Sequence, residues 1–137
     1  MHGFSQLFLC LVISITTPVF CASAETQAKM TVDACHELDK SNSEMKEIYR
    51  RILKDNMDEK RFTVAFERAQ RAWSVFRDAH LHALYPKAPD SYGTTHEMCR
   101  CLVLNQMTRE RIETLKKWLS GGMEGDVCQG STMRGKR

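Results

Sequence analysis

The sequence predicts an all-α protein, a three-helix antiparallel bundle that is stapled by disulfides and follows a cleaved signal peptide. Three segments repeat apolar residues at helical spacing, no segment alternates convincingly as a strand, and four cysteines lie beyond the expected signal peptide. A chain of 137 residues has room for one compact domain. We expect residues 1–24 to be the signal peptide, residues 25–120 the helical domain and residues 121–137 an irregular tail.

The amino-terminal segment has the composition of an export signal. Residues 1–24 contain no Lys, Arg, Asp or Glu, and the apolar run Leu7–Ile15 is shorter than the ~20 residues that a membrane-spanning helix needs. Small residues at Ala22 and Ala24 predict cleavage before Glu25. Acylation of Cys21 is the alternative, and it would anchor the protein to a membrane. The sequence therefore predicts a periplasmic or secreted protein without a membrane span.

Charge is spread evenly over the remaining chain. Twenty basic and 17 acidic residues give a net charge of +3, and the two signs are interspersed. This pattern is typical of a solvated surface and excludes a nucleic-acid-binding face. The basic ending Arg134–Arg137 is expected to be a disordered, solubilising extension.

The first helix is expected to start at Thr31, after a frayed segment 25–30. Its apolar stripe contains one polar residue, Asn42, which either sits buried and fixes the register between helices or lies half-wet at the edge of the seam. The stripe comprises Cys35, Leu38, Asn42, Met45, Tyr49 and Ile52.

The second helix, Phe62–Leu84, carries the most pronounced apolar stripe. Gln70 and Arg77 lie near Trp73 and can reach the edges of the seam that its ring fills. Asp58 is a candidate cap, and Pro86 ends the helix. The stripe consists of Phe62, Phe66, Ala69, Trp73, Phe76, His80 and Ala83.

The third helix is expected from about Thr95 to Leu119, after a loop over residues 86–95. Gly121 and Gly122 stop it. Short connections make consecutive helices antiparallel, so the first and third helices run in the same direction. Its inward face comprises Cys101, Leu104, Thr108, Leu115 and Trp118.

Four cysteines remain after export, and they predict two disulfides. Cys35 and Cys101 lie at the same end of two parallel helices, and Cys101 faces inward, so we expect these two to pair. Cys99 would then pair with Cys128. Because a straight helix carries Cys99 over 30 Å from Gly121 at ~1.5 Å per residue, that bridge requires a bent path or a shorter helix.

Three histidines and two cysteines gather near the end of the second helix and the start of the third. They do not show the close Cys-x-x-Cys and His-x-x-x-His spacings of zinc sites, and cysteines outside the cytosol are more often oxidised. We therefore predict no metal site and no cofactor. The residues concerned are His80, His82, His96, Cys99 and Cys101.

Several motifs together resemble the LprI-type lysozyme-inhibitor family of small exported bacterial proteins. They are Gln70-Arg71-Ala72-Trp73, Phe76-Arg77-Asp78-Ala79, Cys101, and Thr108 with Arg111 and Leu115, together with the upstream Cys35 and Tyr49. The resemblance covers residues 35–119. The resemblance implies a helical periplasmic or secreted protein. Some members of the family inhibit lysozyme. Many members have a cysteine where this chain has His80-Leu81, so their disulfide pairing does not transfer.

The polar residues of these motifs can be explained without catalysis. Arginines beside apolar seams, with nearby carboxylates, can form an ion pair between the second and third helices and orient the bundle. Direct contact with a target is the alternative role. The predicted structural network comprises Gln70, Trp73, Arg77, Asp78, Thr108 and Arg111.

The sequence favours a binding protein over an enzyme. Because it contains no recognisable catalytic motif, we expect a protein partner, with lysozyme as the concrete candidate, occluded by the bundle or its 86–98 loop. Tyr85, Tyr92 and His96 are the expected exposed contacts. The alternative is a non-catalytic structural or stress factor of the envelope with another partner.

A chain of net charge +3 gains no long-range attraction to a basic lysozyme. A local acidic patch could compensate, formed by Glu37, Asp39, Glu44 and Glu47.

Overall fold

The computed structural model describes residues 19–121 and 127–134. Three α-helices follow one another: α1 (Val19–Asp55), α2 (Lys60–Leu84) and α3 (His96–Ser120). Two 3-10 segments, Pro89–Tyr92 and Val127–Arg134, lie in the loop between α2 and α3 and after α3. The predicted all-α class and its three helices are confirmed.

Helix α1 is longer than expected and spans 37 residues. The segment 25–30, expected to fray, is helical, and so are residues 19–24 of the predicted signal peptide; residues 1–18 lie outside the described part. Neither Gly nor Pro occurs between Pro18 and Asp55, so nothing in the backbone chemistry interrupts this helix. The side chain of Gln27 reaches Met98 of α3, with 3.8 Å between Nε2 and Sδ.

The helices run up, down and up. Helices α1 and α3 are parallel, because contacts further along α1 also lie further along α3, from Gln27–Met98 through Cys35–Cys101 to Glu44–Lys116. Helix α2 is antiparallel to α1, because Tyr49 stacks on Phe66 with ring centroids 5.6 Å apart. Helix α1 packs most closely on α3, whereas α2 approaches α3 over a short stretch only.

The buried core lies toward the end of the bundle where α1 turns into α2. Ile52 and Leu115 are completely buried, and Phe66 is 4% exposed. Burying a side chain of this size stabilises the fold by ~1.5–3 kcal/mol. The core consists of Met45, Ile52, Phe66, Ile112 and Leu115, and Trp73 is one of the half-buried residues that pack against it.

The predicted stripe of α2 is buried or half-buried at only three of its seven positions, and Ala69 and His80 are among the exposed ones. Phe66 is buried and Phe62 and Trp73 are half-buried, but Phe76 is 58% exposed and Ala83 is also exposed. Toward the carboxyl end the half-buried positions are instead Arg77 and Leu81. The reason is that α2 packs loosely on the rest of the bundle there, and the long Arg77 side chain spans the gap that apolar residues cannot fill.

The start of α2 also differs from the prediction. The helix begins at Lys60 after Glu59, and no side chain caps it, so the expected Asp58 cap does not form. The turn is closed by backbone hydrogen bonds instead, among them Glu59 N–H to the Asn56 carbonyl at 3.0 Å.

A buried polar pair joins α1 to α3. Ser41 is 3% exposed, and its hydroxyl is hydrogen-bonded to the side-chain oxygen of Asn105. Asn42 is half-buried, which agrees with the predicted alternative that it lies half-wet at the edge of the seam. Because a buried hydroxyl needs a partner, the Ser41–Asn105 pair favours one register of α1 against α3.

One disulfide is present among the described residues. Cys35 and Cys101 are bonded, as predicted from the parallel helices. The expected bridge between Cys99 and Cys128 is not formed. Helix α3 runs unbroken from His96 to Ser120, so ~30 Å of helix at ~1.5 Å per residue separates Cys99 from its carboxyl end.

The carboxyl-terminal segment was predicted to be irregular. Val127–Arg134 instead forms 3-10 turns with a kink at Gly130, where φ is 53°, and this segment contacts α3. The rest of the predicted tail beyond Gly121 lies outside the described residues. Within the described parts of the chain, no helix combines the length and hydropathy that crossing a bilayer requires.

Candidate functional site

The loop between α2 and α3 is held in shape by its own hydrogen bonds. The Ser91 N–H donates to the Ala88 carbonyl at 2.9 Å, and the Lys87 N–H donates to the Tyr92 hydroxyl at 2.8 Å. Gly93 has a φ of 75°, a left-handed conformation that glycine adopts without a steric penalty. The loop therefore presents one defined conformation next to the start of α3.

Three aromatic rings brace this loop from beneath. Tyr85 ends α2, Tyr92 ends the 3-10 turn and His96 begins α3. The Tyr85 and His96 rings meet edge to face at 4.8 Å, and Tyr92 stacks on His96 at 5.0 Å. The Tyr85 and Tyr92 rings lie 5.3 Å apart. Such pairs each contribute ~0.5–1.5 kcal/mol beyond their buried area. We call these three residues the aromatic brace.

The aromatic brace is less exposed than the sequence suggested. His96 is only 8% exposed, its buried Nδ1 has no hydrogen-bond partner within the described chain, and both tyrosines are half-buried. Residues 86–91 are exposed instead. A partner that approaches this end of the bundle would therefore meet the loop surface, including Lys87 and Asp90, while the brace holds that surface in place.

A second constellation surrounds Trp73 between α2 and α3. The guanidinium carbons of Arg77 and Arg111 lie 5.3 Å and 5.8 Å from the centroid of the Trp73 ring, within the range of cation–π attraction. The Arg111 Nε–H donates to the Gln70 side-chain oxygen at 3.0 Å. Arg77 donates to Asp78 at 3.0 Å and to Asn42 at 3.5 Å. The structure thus places Gln70, Trp73, Arg77, Asp78 and Arg111 together.

Thr108 does not join this constellation. It is completely buried, and its hydroxyl has no hydrogen-bond partner among the described residues. The expected ion pair between α2 and α3 is also not formed there, because Arg77 pairs with its own neighbour Asp78 and Arg111 bonds to the neutral Gln70. Burial lowers the pKa of Arg111 below its ordinary value, since desolvation disfavours the charged guanidinium.

Two of the four acids in the predicted patch on α1 form ion pairs within the molecule. Glu37 lies 2.7 Å from Lys40 and 3.8 Å from Arg109, and Glu44 lies 3.2 Å from Lys116. The hydrogen bond from Lys40 is the main cause that lowers the pKa of Glu37. Two of the four acids therefore offer little charge to a partner.

One cluster in the described residues has the composition of a metal site. Cys35, Glu97 and Cys101 converge, with their potential ligand atoms within 4.8 Å of one another. Both sulfurs belong to the disulfide, and a half-cystine lacks the thiolate that binds metal. This donor set does not fit a metal ion while the bridge is closed.

A cavity that the sequence did not reveal opens between the first turns of α2 and the end of α3. Its volume is about 420 Å³, and its walls include Phe62, Phe66 and Trp118 together with Ala65 and Ala69. The alanines were a possible signal, because small side chains four residues apart leave room beside larger rings. Which rings would surround them depended on how α2 and α3 cross.

Comparison with known proteins gives one match. The family model described as lysozyme inhibitor LprI matches residues 21–115. No curated protein and no solved structure matches the chain significantly. The match spans α1, α2, the intervening loop and most of α3, and so includes both the aromatic brace and the constellation at Trp73.

Proposed function

Because this chain belongs to the LprI family of lysozyme inhibitors, we propose that it is an exported protein that inhibits a peptidoglycan-degrading enzyme by occluding its substrate cleft. Its disulfide is consistent with the periplasm or the extracellular space, since such bonds rarely persist in the cytosol. The apolar amino-terminal segment, with small residues before Glu25, supports export by a cleaved signal. The proposed partner is lysozyme.

The braced loop is the observation that carries this proposal. An inhibitor that inserts a segment into a cleft binds best when the segment already has its bound shape, because less conformational entropy is then lost. Two hydrogen bonds within the loop and three aromatic rings beneath it provide that order. We therefore place the inhibitory surface on the exposed residues 86–91.

The test is lysis of bacterial cell walls by lysozyme, measured with and without the oxidised protein. Asp90→Lys should weaken inhibition of a basic lysozyme at least tenfold, because it adds repulsion at the loop surface. Asp58→Lys makes the same charge change in the turn between α1 and α2 at the opposite end of the bundle, and it should leave inhibition unchanged. Equal loss in both variants would contradict the loop as the contact surface.

A second candidate function is a non-catalytic envelope factor with a different protein partner. The engagement of Glu37 and Glu44 by basic neighbours favours it, because these ion pairs reduce the negative charge with which α1 could attract a basic lysozyme. The same assay separates the two proposals. A folded, oxidised protein that fails to slow any of several lysozyme types would support the envelope factor and overturn inhibition.

A further inference from the structure

The seam between α2 and α3 contains a guanidinium without a carboxylate partner. Arg111 is half-buried, and its Nε–H is bonded to the neutral Gln70. Within residues 19–121 and 127–134, no ion pair joins Arg111 to an acid, although Arg77, Arg100 and Arg109 each have one. A partly desolvated cation gains more from a carboxylate than an exposed one does, because the local dielectric constant is lower.

Positive charge also exceeds negative charge around Trp73. Arg77 and Arg111 both lie against the indole, and Asp78 is the one acid bonded to either of them in the described chain. The Asp78 side chain is 66% exposed, so its charge is screened by water, while that of Arg77 is only 19% exposed. The half-buried side of the constellation therefore has a net positive charge and complements an anionic group.

The aromatic cavity lies on the same seam, close to this cation. Ala69 of the cavity precedes Trp73 by one helical turn, and Trp118 follows Arg111 by two turns. Because Gln70, the partner of Arg111, directly follows Ala69, the cavity walls extend at ~1.5 Å per residue from about the level of Arg111 to ~10 Å beyond it along the bundle. An apolar side chain and a carboxylate two to four residues apart in a peptide span such a distance.

We propose that this seam binds a segment of a protein partner that places a bulky apolar side chain in the cavity and an Asp or Glu carboxylate on Arg111. A carboxylate can accept two parallel hydrogen bonds from the free end of a guanidinium whose Nε is already oriented by Gln70. The apolar surface continues beyond the cavity along the same face of α2, where Phe76 is 58% exposed. A peptide can cover this extension, whereas a small acid would leave it in water. The site does not depend on lysozyme inhibition. Its cavity lies toward the opposite end of the bundle from the braced loop.

Selection from a displayed library of random 12-residue peptides against the oxidised protein tests the proposal. Enriched peptides should share a Phe, Leu or Trp two to four residues from an Asp or Glu. Replacement of that acid by its amide should weaken binding at least tenfold in fluorescence anisotropy. No enrichment, or a consensus that lacks either group, would overturn the proposal.

Two pairs of variants locate the peptide. Arg111→Met keeps the aliphatic stem and should weaken binding at least tenfold, whereas Arg109→Met, on the side of α3 that faces Glu37, should not. Ala69→Trp fills the cavity from an exposed position and should also abolish binding, whereas Val64→Trp, at an exposed position on another face of α2 and outside the cavity wall, should reduce it less than threefold. Because Ala69 is exposed, this second pair remains informative if Arg111→Met unfolds. Peptide affinity that is unchanged in both Arg111→Met and Ala69→Trp would show that the seam is not the site.

Two further probes distinguish a peptide from other anionic ligands. Free 4-phenylbutyrate and phosphatidylglycerol vesicles each combine apolar groups with an anion. Neither probe should displace the selected peptide when the probe concentration is below one hundred times the dissociation constant of the peptide. Binding of either probe that depends on Arg111, without peptide enrichment, would assign the seam to a small acid or to a membrane and overturn the proposal. Since no step involves lysozyme, failure here leaves the inhibition assay unaffected.

Discussion

Two polar residues of the same motif, Thr108 and Gln70, have different surroundings in the structure. Thr108 was predicted to join a polar network, yet its hydroxyl is completely buried without a hydrogen bond among the described residues. Gln70 does join the network, because it faces Arg111 across the seam. Both residues occupy polar positions of the family motif, so the sequence predicts the same role for each. Only their neighbours in space separate a bonded group from an isolated one.

The unbonded hydroxyl of Thr108 leads to a prediction about stability. Thr108→Val keeps the shape and removes a polar group that has lost its water, so the free energy of unfolding should rise by ~1 kcal/mol. Urea denaturation measures the change. Thr114→Val is the matched control on the exposed side of α3, where the hydroxyl donates to the Glu110 carbonyl at 3.0 Å, and it should not stabilise. A loss of stability in Thr108→Val would show that its hydroxyl has a partner.

Among the elements, α2 differs most from its neighbours. Helix α3 buries five residues: His96, Cys101, Thr108, Ile112 and Leu115. Helix α2 buries Phe66 alone, and beyond Ser74 its half-buried residues are Arg77 and Leu81. Apolar spacing predicted that α2 is a helix with one apolar stripe. The stripe did not determine how closely α2 lies to α1 and α3, and this distance decides which side chains are buried.

We therefore expect α2 to open locally more often than α3. Backbone amides of residues 75–84 should exchange with deuterium at least tenfold faster than those of residues 105–115, because fewer buried contacts must break. Hydrogen exchange followed by mass spectrometry at neutral pH measures both segments in one experiment. Similar rates would mean that the bundle opens only as a whole.

For the whole molecule, the Cys35–Cys101 bridge is the main covalent constraint. It closes a loop with a sequence separation of 66 residues and joins the amino-terminal parts of α1 and α3, away from the core at the other end. Loop-closure entropy predicts that such a bridge stabilises the fold by ~4 kcal/mol. Replacing both cysteines by Ser should lower the free energy of unfolding by about that amount.

Thermal and chemical denaturation of the double variant Cys35→Ser/Cys101→Ser measure this contribution. Cys99→Ser is the matched control, because Cys99 lies two residues from Cys101 and forms no disulfide here. It should change stability by less than ~0.5 kcal/mol. Equal destabilisation in both variants would indicate that Cys99 also forms a bridge in the folded protein.

The sequence by itself determined the three helices, their directions, the Cys35–Cys101 pairing and the family. Local spacing, Pro and Gly positions and short connections are sufficient for the helices, their directions and the pairing, because each acts within a few residues or through simple chain geometry. The family followed from the resemblance of the motifs. The tertiary structure alone decided that His96 is buried beneath the loop, that the carboxyl-terminal half of the predicted α2 stripe faces water and that Arg111 meets Gln70 instead of an acid. Helical periodicity specifies which residues share a face, but the distance and crossing of two helices specify what that face touches.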